Sequence, residues 1–335
     1  MHLESSETDV DIPTYAQLAD RTGKQRGTAW GVWGSGDELG TLNHLTPGRV
    51  LAAKDSILTG EVLPLNLPLT EFDPPIISHR GALKHQVFGL NEFHRDDRVD
   101  GFFMQASTQL DGLRHFGNPD HGFYNDFQPD GLVAGQPDLG IQVIAQRGIA
   151  GRGVLVDVGA YRAAIGRPID QLQAEQIPVT DLDAALNWQG TSIRPGDILM
   201  IRTGWLQHFR SAPERIDGVL RSPGLEQSEA TAAWLWDHQV AVAASDNVAL
   251  EAWPATASKL TVEAEITGAM PRSSHSGMLH RILIPLLGLT IGELWFLDEL
   301  AAACAGRGRY DVFVTAQPLN LLGGVGSPAN AMAII

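Results

Sequence analysis

The sequence contains a single cysteine, Cys304, among 335 residues. One thiol excludes an intrachain disulfide and any zinc site built from several cysteines. A reducing compartment, with the cytoplasm as the default, is therefore expected. Basic residues are also few, since 24 Lys and Arg stand against 39 Asp and Glu and give a net charge of −15. This charge argues against nucleic acid or an anionic membrane as a partner.

Long hydrophobic runs are absent as well. The longest apolar stretch, residues 282–297, is interrupted by Pro285, Gly288 and Glu293, and is too short to span a bilayer. The first residues are acidic and polar and lack the basic start and apolar core of a secretion signal. With 44% hydrophobic and 19% charged residues, the composition is that of a soluble globular protein.

No repeat, linker or compositional break divides the chain, which predicts one mixed α/β domain with many strands and few helices. Residues 1–28 read as a polar extension on the surface or on a partner, and residues 29–335 as the domain. Residues 71–100 show no regular pattern and predict a long loop of the lid or binding type. The elements expected elsewhere are a helix capped by Thr46, an edge strand at 61–69, buried strands at 153–158, 196–205 and 240–247, helices at 180–186 and around Trp234, and a helix, glycine stop and strand from His280.

The most informative stretch is residues 104–116, which brings Gln105, Gln109, Asp111 and His115 into one short segment. If the segment is extended as far as Asp111, alternation places Gln105, Gln109 and Asp111 on one face. Gly112 then offers the backbone freedom to turn, so that His115 can return toward that face. A carboxylate and an imidazole that converge on one pocket predict a metal site, an acid/base pair, or both.

Glu293 is a second informative residue because it lies inside an otherwise apolar strand. A buried carboxylate without a partner is costly, so a positive or protic group should meet it. An arginine is one candidate partner, and a metal ion or a catalytic histidine is the other.

Four further residues are candidate substrate contacts. His121 and Tyr124 lie in a polar, turn-forming segment that we expect at the rim of the same pocket, and Phe116 directly follows His115. Asp246 ends a predicted strand, where either a binding role or a turn-forming role is expected. The aromatic residues indicate a planar ligand, although aromatics pack cores more often than they bind ligands.

The order of these motifs resembles the cyclase family of metal-dependent hydrolases, which includes arylformamidases and isatin hydrolase and carries a His-x-x-x-His-x-Asp-x-x-x-His signature. The four positions fall on Gln105, Gln109, Asp111 and His115. The last two match and the first two are amides, as in a longer subfamily with Gln in place of two ligand histidines. The resemblance extends from about Trp30 to Ile335.

The resemblance implies a single compact swivelling-type mixed β/α domain that forms a homodimer or homotetramer. It also implies that Asp111, His280 and Glu293 hold a divalent metal and that His115 is the general acid/base. Gln105 and Gln109 are then neutral oxygen ligands. Such an oxygen-rich set favours manganese over zinc, and no metal at all is the alternative.

Three functions remain open from the sequence. The first is a metal-dependent hydrolase that opens an amide or lactone of a cyclic or aromatic small molecule. The second is a metal-independent enzyme, an isomerase, dehydratase or cyclase, that uses Asp111 and His115 as a dyad. The third is a non-catalytic small-molecule-binding protein. We place the hydrolase first and the metal-independent enzyme second. The binding protein comes last, because four polar groups kept in apolar surroundings have no purely structural motive.

Overall fold

The computed structural model describes residues 10–77, 79–211, 220–255, 260–273 and 275–335. Thirteen strands lie in these ranges: β1 Val62–Pro64, β2 Lys84–Asn91, β3 His94–Asp100, β4 Gln109–Asp111, β5 Ile149–Asp157, β6 Gln176–Ile177, β7 Ile198–Arg202, β8 Gly224–Leu225, β9 Val242–Ser245, β10 Thr290–Glu293, β11 Asp311–Ala316, β12 Gly326–Pro328 and β13 Met332–Ile334.

A nine-stranded sheet joins nine of these strands in the order β1-β13-β11-β5-β7-β9-β10-β4-β12. The central strands β5, β7, β9 and β10 are parallel, and the strands on both sides of them are antiparallel. Strands β2 and β3 form a separate hairpin, and β6 pairs with β8. This arrangement confirms the predicted mixed α/β class and the edge position of β1.

Ten α-helices are present in the same ranges: α1 Tyr15–Ala19, α2 Pro47–Ala53, α3 Ile141–Arg147, α4 Val158–Ala164, α5 Val179–Gln189, α6 Trp205–Ser211, α7 Glu229–Asp237, α8 Glu263–Ile266, α9 His280–Leu283 and α10 Asp298–Arg307. The expectation of few helices is therefore wrong. Most of these helices are one or two turns long, which is too short for a 3.6-residue periodicity to emerge from the sequence. Helix α10 was not predicted at all.

The core lies on both faces of the sheet. Along β5, Val154 and Val156 belong to one hydrophobic cluster, and Leu155 between them belongs to the other. Successive side chains of a strand point to opposite faces, so this alternation means that both faces are covered. The continuous apolar runs in β5, β7 and β9 follow from this double burial.

The region 71–100 departs most from the prediction. Most of it is not a loop but the hairpin β2–β3, in which every residue is exposed. The alternation of its side chains carries no burial signal, because neither face packs on the domain. Of the connection expected at 255–275, residues 256–259 and 274 lie outside the described ranges.

The beginning of the described chain packs on the domain. Leu18 in α1 is fully buried, and the backbone N–H of Tyr15 donates to Asp237 at the end of α7 at 2.7 Å. The indole N–H of Trp236 donates to the carbonyl of Pro13 at 2.7 Å.

Candidate active site

Two neighbouring antiparallel strands supply three of the site's side chains. Gln109 and Asp111 lie two residues apart on β4 and therefore share a face, and Glu293 ends β10 directly opposite Gln109. The Gln109 amide donates a hydrogen bond to the Glu293 carboxylate. The buried acid in the apolar strand is thus met by an amide and, from the other side, by His280.

His280 reaches the same point from α9. Its Nε2 lies 3.2 Å from Glu293 Oε1 and 3.6 Å from Asp111 Oδ2. The structure therefore brings together Asp111, His280 and Glu293, which are separated by up to 182 positions along the chain. Each offers a ligand atom within 4.8 Å of the others, and all three are buried.

Glu251, which the sequence analysis missed, fixes the orientation of His280. Its carboxylate lies 2.6 Å from His280 Nδ1 and accepts the backbone N–H groups of Leu279 at 2.6 Å and His280 at 3.0 Å. A histidine that donates Nδ1–H to a carboxylate presents Nε2 to its other partners, as in many metal sites. The signal that pointed to Glu293, an acid inside an apolar run, is also present at Glu251.

The turn that follows Asp111 returns His115 to the site. The backbone N–H of His115 donates to the carbonyl of Gly112 at 2.9 Å, and His115 Nε2 lies 3.8 Å from Asp111 Oδ2. Residue 112 is glycine because a side chain would not fit there, and not because the backbone adopts an unusual φ angle. A Cβ atom there would approach the Val325 carbonyl oxygen to 3.0 Å and the Ile141 side chain to 3.2 Å.

Gln105 reaches the site from a turn and not from the strand. The premise of an extended run from residue 105 is therefore wrong, but the side chain still arrives where it was expected. Its amide nitrogen donates to Asp111 Oδ1 and lies 3.3 Å from His115 Nδ1. Gln105 thus links the carboxylate to the imidazole.

The protonation states follow from burial and from these contacts. Burial by itself raises the pKa of Asp111, but the neighbouring His115 and His280 and the hydrogen bond from Gln105 outweigh it and hold this pKa below its usual range. Burial, together with the charge of Asp111, raises the pKa of Glu293 to about 7.

The two histidines shift in opposite directions. Burial lowers the pKa of His115, and the attraction of Asp111 does not restore it. Burial by itself lowers the pKa of His280, but the nearby carboxylates of Asp111, Glu251 and Glu293 outweigh it and raise this pKa well above the usual value. At neutral pH His115 is therefore a free base, and His280 holds a proton that any cation binding to Nε2 would have to displace.

The donor atoms fit a divalent cation. Asp111 Oδ2 and Gln109 Oε1 are both buried and have no hydrogen-bond partner. Unsatisfied buried acceptors are costly, and a cation would satisfy both. With His280 Nε2 and Glu293 they form a set of mainly oxygen ligands, which suits manganese or magnesium better than zinc.

The predicted substrate contacts separate into two groups. Phe116 packs against His115 and His280, with ring centroids 5.1 and 5.3 Å apart. His121 instead contacts the carbonyl of Lys24 at 3.0 Å, and Tyr124 is buried, with its hydroxyl donating to Asp37 at 2.9 Å. Tyr124 is held within the core.

Asp246 has a structural position too. Its carboxylate accepts the backbone N–H groups of Thr203 and Gly204 and the Thr203 hydroxyl, each at 2.8 Å, which ties the end of β9 to the turn after β7. Burial raises the pKa of Asp246 to about 6 in spite of these bonds. The turn-forming role weighed in the sequence analysis agrees with these contacts.

A cavity of about 870 Å³ opens beside the site. His115, His280, Glu293 and both glutamines face it, and Phe116 lines it as well. Among the described residues, His121, Tyr124 and Asp246 are not part of its wall. Arg80, another lining residue, was not identified from the sequence, because it lies in the segment read as a featureless loop.

Comparison with known proteins establishes the family. The Cyclase family model matches residues 58–252, more than half of the chain. A solved structure described as a novel cyclase is 31% identical, with a TM-score of 0.76 over 92% of this chain and 99% of that one. The chain therefore belongs to the cyclase family, as the resemblance predicted.

More distant structures share the fold. Isatin hydrolase A from Labrenzia aggregata, solved with benzyl benzoate, is 15% identical with a TM-score of 0.56 over 88% of this chain and 99% of that one. Isatin hydrolase A from Ralstonia solanacearum is 19% identical with a TM-score of 0.54 over 86% and 97%. Comparison with curated protein sequences gave no match.

Within the described ranges, no helix is long and apolar enough to cross a bilayer.

Proposed function

We propose that this protein is a hydrolase that opens an amide or lactone bond in a cyclic or aromatic small molecule, with a divalent cation and His115 as general acid/base. The observation that carries the proposal is the convergence of Asp111, His280 and Glu293, beside two buried oxygen atoms without hydrogen-bond partners. A binding protein would have no need to bury such a set.

His115 is suited to move the proton. Its lowered pKa leaves it neutral at physiological pH, so it can accept a proton from the attacking water and return it to the leaving nitrogen or oxygen. Gln105, which contacts both Asp111 and the imidazole, orients the ring. A divalent cation held by Asp111, Glu293 and His280 would supply Lewis-acid polarisation of the carbonyl.

The fold supports the choice of substrates only by analogy. Two neighbours in fold are isatin hydrolases, and isatin is a cyclic amide. The aromatic and apolar wall of the cavity agrees with a planar ligand.

The test combines metal analysis with a substrate panel. Protein purified without added metal would be analysed for manganese, magnesium and zinc, and then assayed with cyclic amides, aryl lactones and N-formyl arylamines before and after chelation. We expect turnover of at least one class that chelation abolishes and manganese restores. Turnover that survives complete removal of metal would overturn the metal-dependent mechanism.

His115→Ala should lower turnover on the identified substrate by on the order of a hundredfold or more, because the proton transfer is lost. The His115 side chain faces the cavity and is 22% exposed, so its removal should change the midpoint of thermal unfolding little. Phe116→Leu is a matched control that alters the adjacent wall without removing a proton carrier. Near-normal turnover of the His115 variant would exclude this residue from the mechanism.

A metal-independent enzyme is the second candidate, and one observation favours it. The amide groups of Gln105 and Gln109 already donate to Asp111 and Glu293, and His280 lies between the same two carboxylates. The N–H groups of these side chains thus stabilise part of the negative charge of the two carboxylates without a metal ion. In this case Asp111 and His115 would act as a dyad in isomerisation, dehydration or cyclisation, and chelation would leave turnover unchanged.

A further inference from the structure

Arg80 is a charged residue of the cavity wall that the proposed mechanism does not use. Its backbone N–H donates to the carbonyl of Ile77 at 3.0 Å, and its guanidinium donates to the backbone carbonyl of Gln105. Because the Gln105 side chain contacts Asp111 and His115, these bonds hold a positive charge next to the candidate reaction centre.

This guanidinium is not committed to an ion pair. Arg152, Arg162 and Arg202 each contact two carboxylates, whereas no Asp or Glu oxygen of the described residues lies within 4.0 Å of Arg80. Burial lowers the pKa of Arg80, and the more distant Glu293 and Asp111 oppose this effect. An arginine stays charged in such surroundings, so a half-buried positive charge without a carboxylate partner is available to a ligand.

Several aromatic side chains line the same cavity as Arg80. Phe103, Phe116 and Trp253 line the cavity, and the ring of His275 lies 5.5 Å from Phe116 and 6.1 Å from Trp253. Among the described lining residues, Glu293 is the only carboxylate, and it is bonded to Gln109 and His280. The cavity therefore offers a cation and aromatic surfaces, although the protein as a whole carries a charge of −15.

We propose that Arg80 binds a carboxylate on a planar ligand, and so selects amides or lactones that carry this group. Guanidinium and carboxylate match in geometry as well as charge, since two parallel hydrogen bonds can form. The inference depends on the proposed hydrolase function in one respect only, namely that the ligand is called a substrate. Arg80 acts here as a specificity-determining residue.

The test compares two probes of nearly equal shape, benzoate and benzamide, by isothermal titration calorimetry. We expect the wild type to bind benzoate about tenfold or more tightly than benzamide. Arg80→Gln should remove most of this preference by weakening benzoate alone, and Arg80→Lys, which keeps the charge, should retain part of it. The titrations would be made on the protein as purified and again after chelation, so that the contribution of a bound cation is the same in each comparison.

Arg210→Gln is the matched control, because it removes the same charge from a residue that pairs with Glu71 outside the cavity wall. It should bind both probes as the wild type does.

Equal binding of benzoate by the wild type and a folded Arg80→Gln variant would overturn the proposal, as would a wild type that does not prefer benzoate to benzamide. If Arg80→Gln does not fold, a partial loss of the preference in Arg80→Lys supports the bidentate contact, and an unchanged preference overturns it. These titrations measure binding and not turnover. Carboxylate binding by Arg80 can therefore be confirmed even if the hydrolase function is refuted, and it can be refuted while the hydrolase function stands.

Discussion

At the scale of single residues, the two glutamines distinguish this chain from the signature that it otherwise resembles. Gln109 directs its amide nitrogen to Glu293 and leaves its oxygen without a partner, and Gln105 directs its nitrogen to Asp111. An amide offers a cation one weak oxygen donor where imidazole would offer a strong nitrogen. The affinity of the site for zinc should therefore be low.

The double change Gln105→His, Gln109→His should raise zinc affinity by at least about tenfold, because two imidazoles would join Asp111 in a three-ligand set. Zinc binding by this variant should weaken as the pH falls, since imidazole must lose its proton to coordinate. Activity should fall, because the native amides form hydrogen bonds with Asp111 and Glu293 and orient the imidazole of His115. Isothermal titration calorimetry with zinc after chelation measures the affinities.

The double change Gln105→Ala, Gln109→Ala is the control, since it removes the amides without adding imidazole and should not gain zinc affinity. Tight, stoichiometric zinc binding by the wild type, unchanged in the histidine variant, would show that the glutamines do not set the metal preference.

How much of the site could be predicted depended on how far apart its residues lie along the chain. Asp111, Gln109 and His115 lie within seven residues of one another, so local alternation and a turn placed them correctly. Glu293 and His280 were assigned from the resemblance and from the cost of a buried acid. Arg80 was missed because its role depends on a contact with the turn at Gln105, which leaves no local pattern. Glu251 has the same local signal as Glu293, an acid inside an apolar run, but its partner on α9 cannot be read from that signal.

At the scale of elements, the buried strands were predicted well, and so were the helices after Thr46, at residues 180–186, around Trp234 and from His280; the other six helices of the described ranges were not predicted. Strands β5, β7 and β9 have continuous apolar runs because both of their faces are covered. Helix α10 was missed even though Gly308, in the left-handed conformation, ends it in the usual way. Its small residues give only a weak amphipathic pattern.

The hairpin β2–β3, here called the arm, is the element with the clearest unexplained surface. Its apolar residues are exposed in both strands and at the tip, from 41% for Phe88 to 90% for Phe93. A two-stranded hairpin is marginally stable in water on its own. Residues 84–100 contain three basic and four acidic residues, so the arm is nearly neutral in a chain of charge −15.

We propose that the arm joins two copies of the chain into a homodimer, because two acidic molecules repel each other least where their charge is lowest. Changing Phe88 and Phe93 together to Glu should weaken the dimer at least about tenfold. Analytical ultracentrifugation across a range of concentrations gives the dissociation constant. Leu51→Glu is the control, since it adds a charge at an exposed apolar residue of α2. A monomeric wild type at all concentrations would rule out the proposal.

At the scale of the whole molecule, an ion network joins the antiparallel strand β11 to the parallel strands β5 and β7. Arg152 on β5 contacts Asp311 on β11 at 3.2 Å and Asp197, just before β7, at 2.6 Å. Arg309 also donates to Asp311 at 2.6 Å. The hydrogen bonds from Arg309 and Arg152 outweigh partial burial and hold the pKa of Asp311 below its usual range.

This network predicts a loss of stability in acid. In the unfolded chain Asp311 takes up its proton near the ordinary pKa of about 4, whereas in the folded protein it does so at a lower pH. Below about pH 4 the unfolded state therefore binds more protons, and the stabilisation that Asp311 contributes at neutral pH declines as the pH falls.

Asp311→Asn should lower the free energy of unfolding by about 1–2 kcal/mol at neutral pH, a range that allows for solvent screening of a partly exposed network. Urea denaturation of the variant and the wild type at about pH 7 and about pH 3 measures the difference, which should shrink at the lower pH because Asp311 of the unfolded wild-type chain is then protonated. Asp100→Asn is the control, because Asp100 pairs with Arg98 on the exposed arm, where an ion pair contributes little. A difference between Asp311→Asn and wild type that stays constant over this pH range would mean that the charge of Asp311 does not stabilise the sheet.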